Sequence, residues 1–221
     1  MSSPHFLVTY DLDGTLVDSA EIVCAILNQL RDELGKSQLH REHFLPSISL
    51  GGEDLIRSAL EVEDDQIHSY LTEFRSRYQN LPTPVNSIYP NVIEALKALK
   101  ALGCHLALCT NKPRRLVDKV LLETGLNQFF KYINAGGDLD TKKPHQKNLM
   151  SCMEYFDVTS ERTWLVGDST VDEALARNTG VPFIFYAPGY NDGINQNEAL
   201  FTMTDHLEIL NRIDQVASPS R

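Results

Sequence analysis

Five short apolar runs punctuate this chain: Phe6–Tyr10, His105–Cys109, Tyr132–Ala135, Thr163–Val166 and Phe183–Tyr186. Continuous apolar runs of this length are the mark of strands buried on both faces, as in parallel sheets. Between them lie helical patterns. Val92–Leu102 places Val92, Ile93, Leu96, Leu99 and Leu102 along one stripe, and Arg115–Thr124 and Lys147–Phe156 read similarly. Glu173–Asn178 is shorter and is stopped by Gly180. Strand and helix in alternation predict an α/β fold, a Rossmann-like parallel sheet with helices on both faces.

One stretch breaks the alternation. From about Ser19 to Leu81 the patterns are helical only. Ala20–Leu34 gathers Ile22, Val23, Ile26, Leu27, Leu30 and Leu34 on one face, with Asp18 and Glu21 at capping-box spacing before it. Glu63–Tyr78 is a second amphipathic helix. Pro82, Pro84 and Pro90 then mark a linker. The chain therefore divides into a discontinuous sheet domain, 1–17 and 83–221, around a small all-helical insertion at 18–82.

Ligands of open parallel sheets bind beyond the carboxyl ends of the strands. Strand one is followed by Asp11-Leu12-Asp13-Gly14-Thr15-Leu16, and strand two by Thr110-Asn111. Past strand three comes Lys142-Lys143-Pro144. Past strand four comes Gly167-Asp168-Ser169, with Asp172 shortly after. All four clusters fall on one edge, so carboxylates, a hydroxyl and an ammonium converge. Crowded carboxylates require a cation, and an oxygen-only donor set suits Mg²⁺, which also bridges phosphate oxygens. A carboxylate is a competent nucleophile at phosphorus, and a second acid can protonate the leaving group and then activate water. Lysine and hydroxyl donors stabilise the equatorial oxygens. Gly14 permits a tight turn whose amides can cradle phosphate.

On these motifs, in this order, the chain from Phe6 to about Tyr190 resembles the haloacid dehalogenase superfamily, in its phosphoglycolate phosphatase-like branch. The most specific part is Asp11-Leu12-Asp13-Gly14-Thr15-Leu16-Val17-Asp18-Ser19. The resemblance implies Asp11 as nucleophile and Asp13 as general acid/base. It implies Mg²⁺ on Asp11, the Asp13 carbonyl and Asp168, and phosphate on Thr110 and Lys143, with Asn111 beside them. Asp172 would orient Lys143 or a metal-bound water, and the helical insertion would be a mobile cap. An acid at Asp13 favours hydrolysis of a phosphomonoester through an aspartyl phosphate, with a small phosphorylated metabolite, phosphoglycolate-like by resemblance, as substrate. A phosphomutase shares this acid and stays open. So do a phosphoacceptor domain, which would hold the phosphoryl group on Asp11, and a non-catalytic protein on the same fold.

Plainer readings stand beside these. Thr110-Asn111 before Pro113 fits a helix cap, and Asp172 fits a first-turn acid facing a helix dipole. Of Lys142 and Lys143 only one can point inward, and Lys143 is preferred. His145 reads as an exposed loop residue, and Gly51-Gly52 as a turn between helices or a loop reaching the site. The motif departs from the family pattern at Gln146, where a second proline is frequent, and at Val171.

Composition narrows the partners. The formal charge is −10 and the pI about 5.1, which disfavours nucleic acid and anionic membrane surfaces. Cys24, Cys104, Cys109 and Cys152 show neither C-x-x-C nor zinc spacing and read as buried thiols of a reducing compartment. Residues 1–5 lack a charged leader and no apolar run approaches membrane length. These features predict a cytoplasmic protein; whether it is a monomer or homodimer stays open.

Overall fold

A computed structural model describes residues 6–217; the leader reading for residues 1–5 lies outside them. Strand β1 (Leu7–Tyr10) leads into four helices, α1 (Ala20–Glu33), α2 (Leu45–Ile48), α3 (Gly52–Leu60) and α4 (Asp64–Asn80). The remainder alternates: α5 (Val92–Ala101), β2 (His105–Pro113), α6 (Arg114–Thr124), β3 (Tyr132–Gly136), α7 (Lys147–Phe156), β4 (Thr163–Gly167), α8 (Thr170–Thr179), β5 (Phe183–Tyr186), β6 (Phe201–Met203) and α9 (Glu208–Ala217). The six strands form one sheet in the order β3-β2-β1-β4-β5-β6, every pair parallel.

Strand alternation sorts the core into two layers. Val8, Tyr10, Leu106, Leu108, Trp164 and Val166 face one side, where α5, α6 and α9 bury Leu96, Val117 and Ile209 against them. Leu7, Ala107, Cys109 and Leu165 face the other, under Leu149 and Cys152 of α7 and Leu175 of α8. Cys24, Cys104, Cys109 and Cys152 are all buried, and none is in a disulfide. Among the described residues no helix is long and apolar enough to cross a membrane.

Several local expectations are corrected. Strand β6, three residues long, carries too little pattern to be legible. β2 runs on to Pro113 with a register shift after Cys109, so Thr110 and Asn111 belong to the strand's frayed end rather than to a following loop. α8 begins at Thr170, three residues before Glu173, because Ser169 and Asp172 close a capping box. The box expected of Asp18 and Glu21 does not form. Ser19 is the N-cap of α1 and makes no side-chain cap bond, its hydroxyl turning instead to Asp13; Asp18 pairs with Arg41 at 2.9 Å. Gly51 precedes α3 and Gly52 opens it, both with positive φ.

Candidate active site

The loop after β1 is built around one carbonyl. Leu12 O accepts from the amides of Leu16 at 2.9 Å and Val17 at 3.0 Å, and Gly14 N donates to Val17 O at 2.9 Å. Gly14 turns with φ 83°, and a Cβ there would collide with the Asp168 carboxylate. Thr15 closes the contact: its Oγ1 donates to Asp168 Oδ1 at 2.7 Å. The second oxygen, Oδ2, accepts from Tyr190 N at 2.8 Å. Gly189 is pressed against the same side chain, again with no room for a Cβ. The ends of β1 and β4 and the loop after β5 thus fix Asp168 from three sides.

Asp11, Asp168 and Asp172 are all buried and present carboxylate oxygens within 4.8 Å of one another. Lys143 enters between them, 2.8 Å from Asp11 Oδ1 and 2.7 Å from Asp172 Oδ1. The contact to Asp11 is an ion pair lying off hydrogen-bond alignment, so Asp11 Oδ1 is a buried oxygen with no aligned donor. Asn111 sets the lysine: its Oδ1 accepts from Lys143 N at 2.8 Å and its Nδ2 donates to Lys143 O at 3.2 Å. Each end of that carboxamide thus holds the Lys143 backbone by one hydrogen bond, and Asn111 also lines the cavity beside Asp11 and Asp13. Lys142 points away, into an exposed pair with Asp54 at 3.0 Å, and His145 is exposed.

Burial sets the electrostatics. It pushes Asp11 up to about 6, against the opposing pull of Lys143 and with a further push from Asp172. It pushes Asp168 well above the usual carboxylate range, with Asp11 and Asp172 adding to the rise. Burial alone would lower Lys143, but Asp11 and Asp172 outweigh it and hold the ammonium above an ordinary lysine. Three buried carboxylates meet one ammonium, so the cluster carries more acidic groups than cationic ones. A hard divalent cation with oxygen ligands answers that excess, and the donor set fits one.

Asp13 stands apart from this cluster. Its Oδ1 accepts from Ser19 Oγ at 2.5 Å, and Lys112 Nζ approaches its two oxygens at 3.0 and 3.1 Å. Above it, between the sheet edge and the helices α1–α4, is a cavity of about 50 Å³. Asp11, Asp13 and Thr110 line its floor, and Val23, Leu71 and Phe74 are among the apolar side chains of its walls. Thr110 Oγ1 accepts from Lys112 N at 3.3 Å.

Sequence reasoning singled out neither Lys112 nor Tyr78 and assigned no contact to Ser19 or Tyr190. For Lys112 a signal existed. It lies two residues from Thr110 on an extended segment, and that spacing puts both on one face. Tyr190, whose hydroxyl accepts from Ser19 N at 3.0 Å, and Tyr78 act across long stretches of chain and leave no local signal.

Comparisons agree with this geometry. The sequence profile of the family described as Haloacid dehalogenase-like hydrolase matches residues 8–186. A phosphoglycolate phosphatase from Pseudomonas putida is 33% identical over 194 residues, covering 85% of this chain and 71% of that protein. A plasmid-borne phosphoglycolate phosphatase from Cupriavidus necator is 34% identical over 194 residues, 86% of this chain and 84% of the relative. Among solved structures, a predicted phosphoglycolate phosphatase from Haemophilus somnus superposes with a TM-score of 0.86 at 26% identity, over 96% of this chain and 100% of that one. With fold, motif order and relatives in agreement, the chain belongs to the haloacid dehalogenase-like hydrolases, in their phosphoglycolate phosphatase-like branch, and is a phosphatase by class.

Proposed function

We propose that the protein is a Mg²⁺-dependent phosphatase that hydrolyses a small phosphomonoester through an aspartyl phosphate on Asp11. The observation that carries this reading is the pairing of two unlike carboxylates. Asp11 is buried beside Lys143 and Asp168, whereas Asp13 faces the cavity and is held by Ser19 and Lys112. That difference supports Asp11 as the attacking group and Asp13 as the group that transfers protons.

In the first half-reaction an Asp11 oxygen forms a bond to phosphorus as the bond to the leaving oxygen breaks, and Asp13 gives that oxygen a proton. In the second, Asp13 takes a proton from water, the water oxygen attacks phosphorus, and the Asp11 carboxylate leaves as inorganic phosphate forms. The Lys143 ammonium and the Thr110 hydroxyl hold the phosphoryl oxygens through both steps. Asp11, Asp168 and the Asp13 carbonyl would hold Mg²⁺, with Asp172 beside them, and the ion supplies positive charge that offsets the phosphoryl oxygens. Helices α1–α4 act as the cap that excludes water.

The cavity favours a compact leaving group, which suits a phosphoglycolate-like ester, the substrate that the names of the relatives state for those proteins. Phosphate release from a panel of small phosphomonoesters tests the reading, with Mg²⁺, with chelator and with Asp11→Asn. Metal-dependent release abolished by Asp11→Asn is the expected result. Release that ignores both sinks it, and accumulation of an isomerised phosphate ester in place of inorganic phosphate would indicate a mutase.

A further inference from the structure

Lys112 joins two parts of the molecule that are far apart in sequence. From the end of β2, its ammonium lies 3.0 and 3.1 Å from the two oxygens of Asp13 and donates to the Tyr78 hydroxyl at 2.9 Å. The same nitrogen lies 4.3 Å from the centroid of the Tyr78 ring. Tyr78 is on the last turns of α4, across the cavity, and is buried. The Lys112 and Asp13 side chains are only 6% and 13% exposed. Among the described residues, Lys112 is the one cation that touches Asp13.

We propose that Lys112 is a positioning residue for Asp13, and that Tyr78 makes this positioning depend on the placement of the helical segment. The proposal rests on Asp13 acting as the acid and base described above. A proton-transferring carboxylate must be held close to its productive geometry, and small displacements cost rate heavily. Ser19 grips Asp13 from one side at 2.5 Å, and Lys112 grips it from the other. A lysine ammonium has three hydrogens on a flexible four-carbon stem. Here the phenol takes one, the carboxylate takes the others, and the ring face takes part of the charge. With α4 against the sheet edge, the stem has one place to go. With α4 withdrawn, the phenol and the ring leave together, the ammonium is free to hydrate, and Asp13 loses one of its two anchors. Proton transfer is thereby tied to a shut cavity, where bulk water cannot intercept the phosphorylated aspartate.

The test compares leaving groups. Acetyl phosphate departs as a carboxylate and needs no proton, whereas an alkyl phosphate such as phosphoglycolate needs one. We expect Lys112→Met to lower kcat/KM for the alkyl ester by about 10²-fold, the low end of acid/base loss, and to leave acetyl phosphate within a few-fold of wild type. Lys112→Met added to Asp13→Asn should cost nothing further. Tyr78→Phe, which removes one oxygen and keeps the ring, should show the same leaving-group pattern at about threefold to tenfold.

Equal losses on both substrates, or losses that add in the double variant, overturn the proposal and assign Lys112 to substrate binding or to the fold. Asp13→Asn alone separates the two levels. If it shows no leaving-group dependence, the acid/base assignment fails and the proposal falls with it. If it shows that dependence while Lys112→Met does not, only the positioning role fails.

Discussion

Lys143 Nζ lies 2.7 Å from Asp172 Oδ1, and neither side chain is open to solvent. The other oxygen of that carboxylate accepts from Ser169 Oγ at 2.7 Å and from Ser169 N at 3.3 Å, capping α8. One side chain therefore fixes both a helix start and the ammonium aimed at Asp11. Gly167 lies so close to Asp172 that any Cβ would intrude.

Asp172→Ala removes both functions. Stability should fall by about 3 kcal/mol, as for a broken buried pair with the loss of a cap included. Asp172→Asn keeps an oxygen for the cap and should lose less stability. Both should lower turnover, because Lys143 then leans on Asp11 alone. Denaturant titration alongside phosphate release checks this, and full activity in either variant would refute it.

Asp11→Asn should abolish turnover while circular dichroism stays that of wild type, because the substitution is isosteric. Asp13→Asn should slow each half-reaction by about 10²–10⁴-fold. Single-turnover measurements with labelled substrate separate the halves. Wild-type rates in the first variant would remove Asp11 from the nucleophile's place.

Stability should depend on pH and metal together. Burial raises Asp11 to about 6 and drives Asp168 up as well. Between an unfolded carboxylate value of about 4 and the raised folded values, the native state binds more protons than the unfolded chain. These two groups therefore favour the fold at low pH, and their contribution is lost as pH rises through that window. A bound divalent cation reverses the loss and competes with the protons, so Mg²⁺ should stabilise more at pH 7.5 than at pH 5. At 100 times Kd the gain is about 2.7 kcal/mol, a rise in Tm of about 5–10 °C. Calorimetry with Mg²⁺ or chelator at both pH values measures it; an equal gain at both would contradict the assignment.

Gly189→Ala tests the cradle of Asp168. The added methyl would meet both that side chain and the Gly14 carbonyl. Overpacking of this kind costs about 1–3 kcal/mol. The Mg²⁺ concentration for half-maximal activity should rise about tenfold or more as Asp168 is displaced. An unchanged metal requirement would show that the loop yields instead.

Much of the active edge was legible because it follows from topology. Once β1, β2, β3 and β4 are read as parallel, Asp11, Thr110, Lys143 and Asp168 must share an edge, whatever their distances in sequence. Asn111 was placed there too, but its role depended on where a carboxamide points, and it points at the Lys143 backbone. The choice between Lys142 and Lys143 was likewise a matter of side-chain direction.

The sequence by itself determined the alternation of β1–β5 with helices, the helical interruption after β1 and the gathering of acids, lysine and threonine at one edge. Those features are written in local periodicity, and parallel connections convert local order into a common edge. Only the tertiary structure decided which groups touch. Lys112 meets Asp13 across 99 residues and Tyr78 across 34, and Ser19 meets Tyr190 across 171. Such contacts depend on how the α1–α4 helices pack over the sheet and on which rotamers that packing allows. A pattern of neighbours along the chain carries neither.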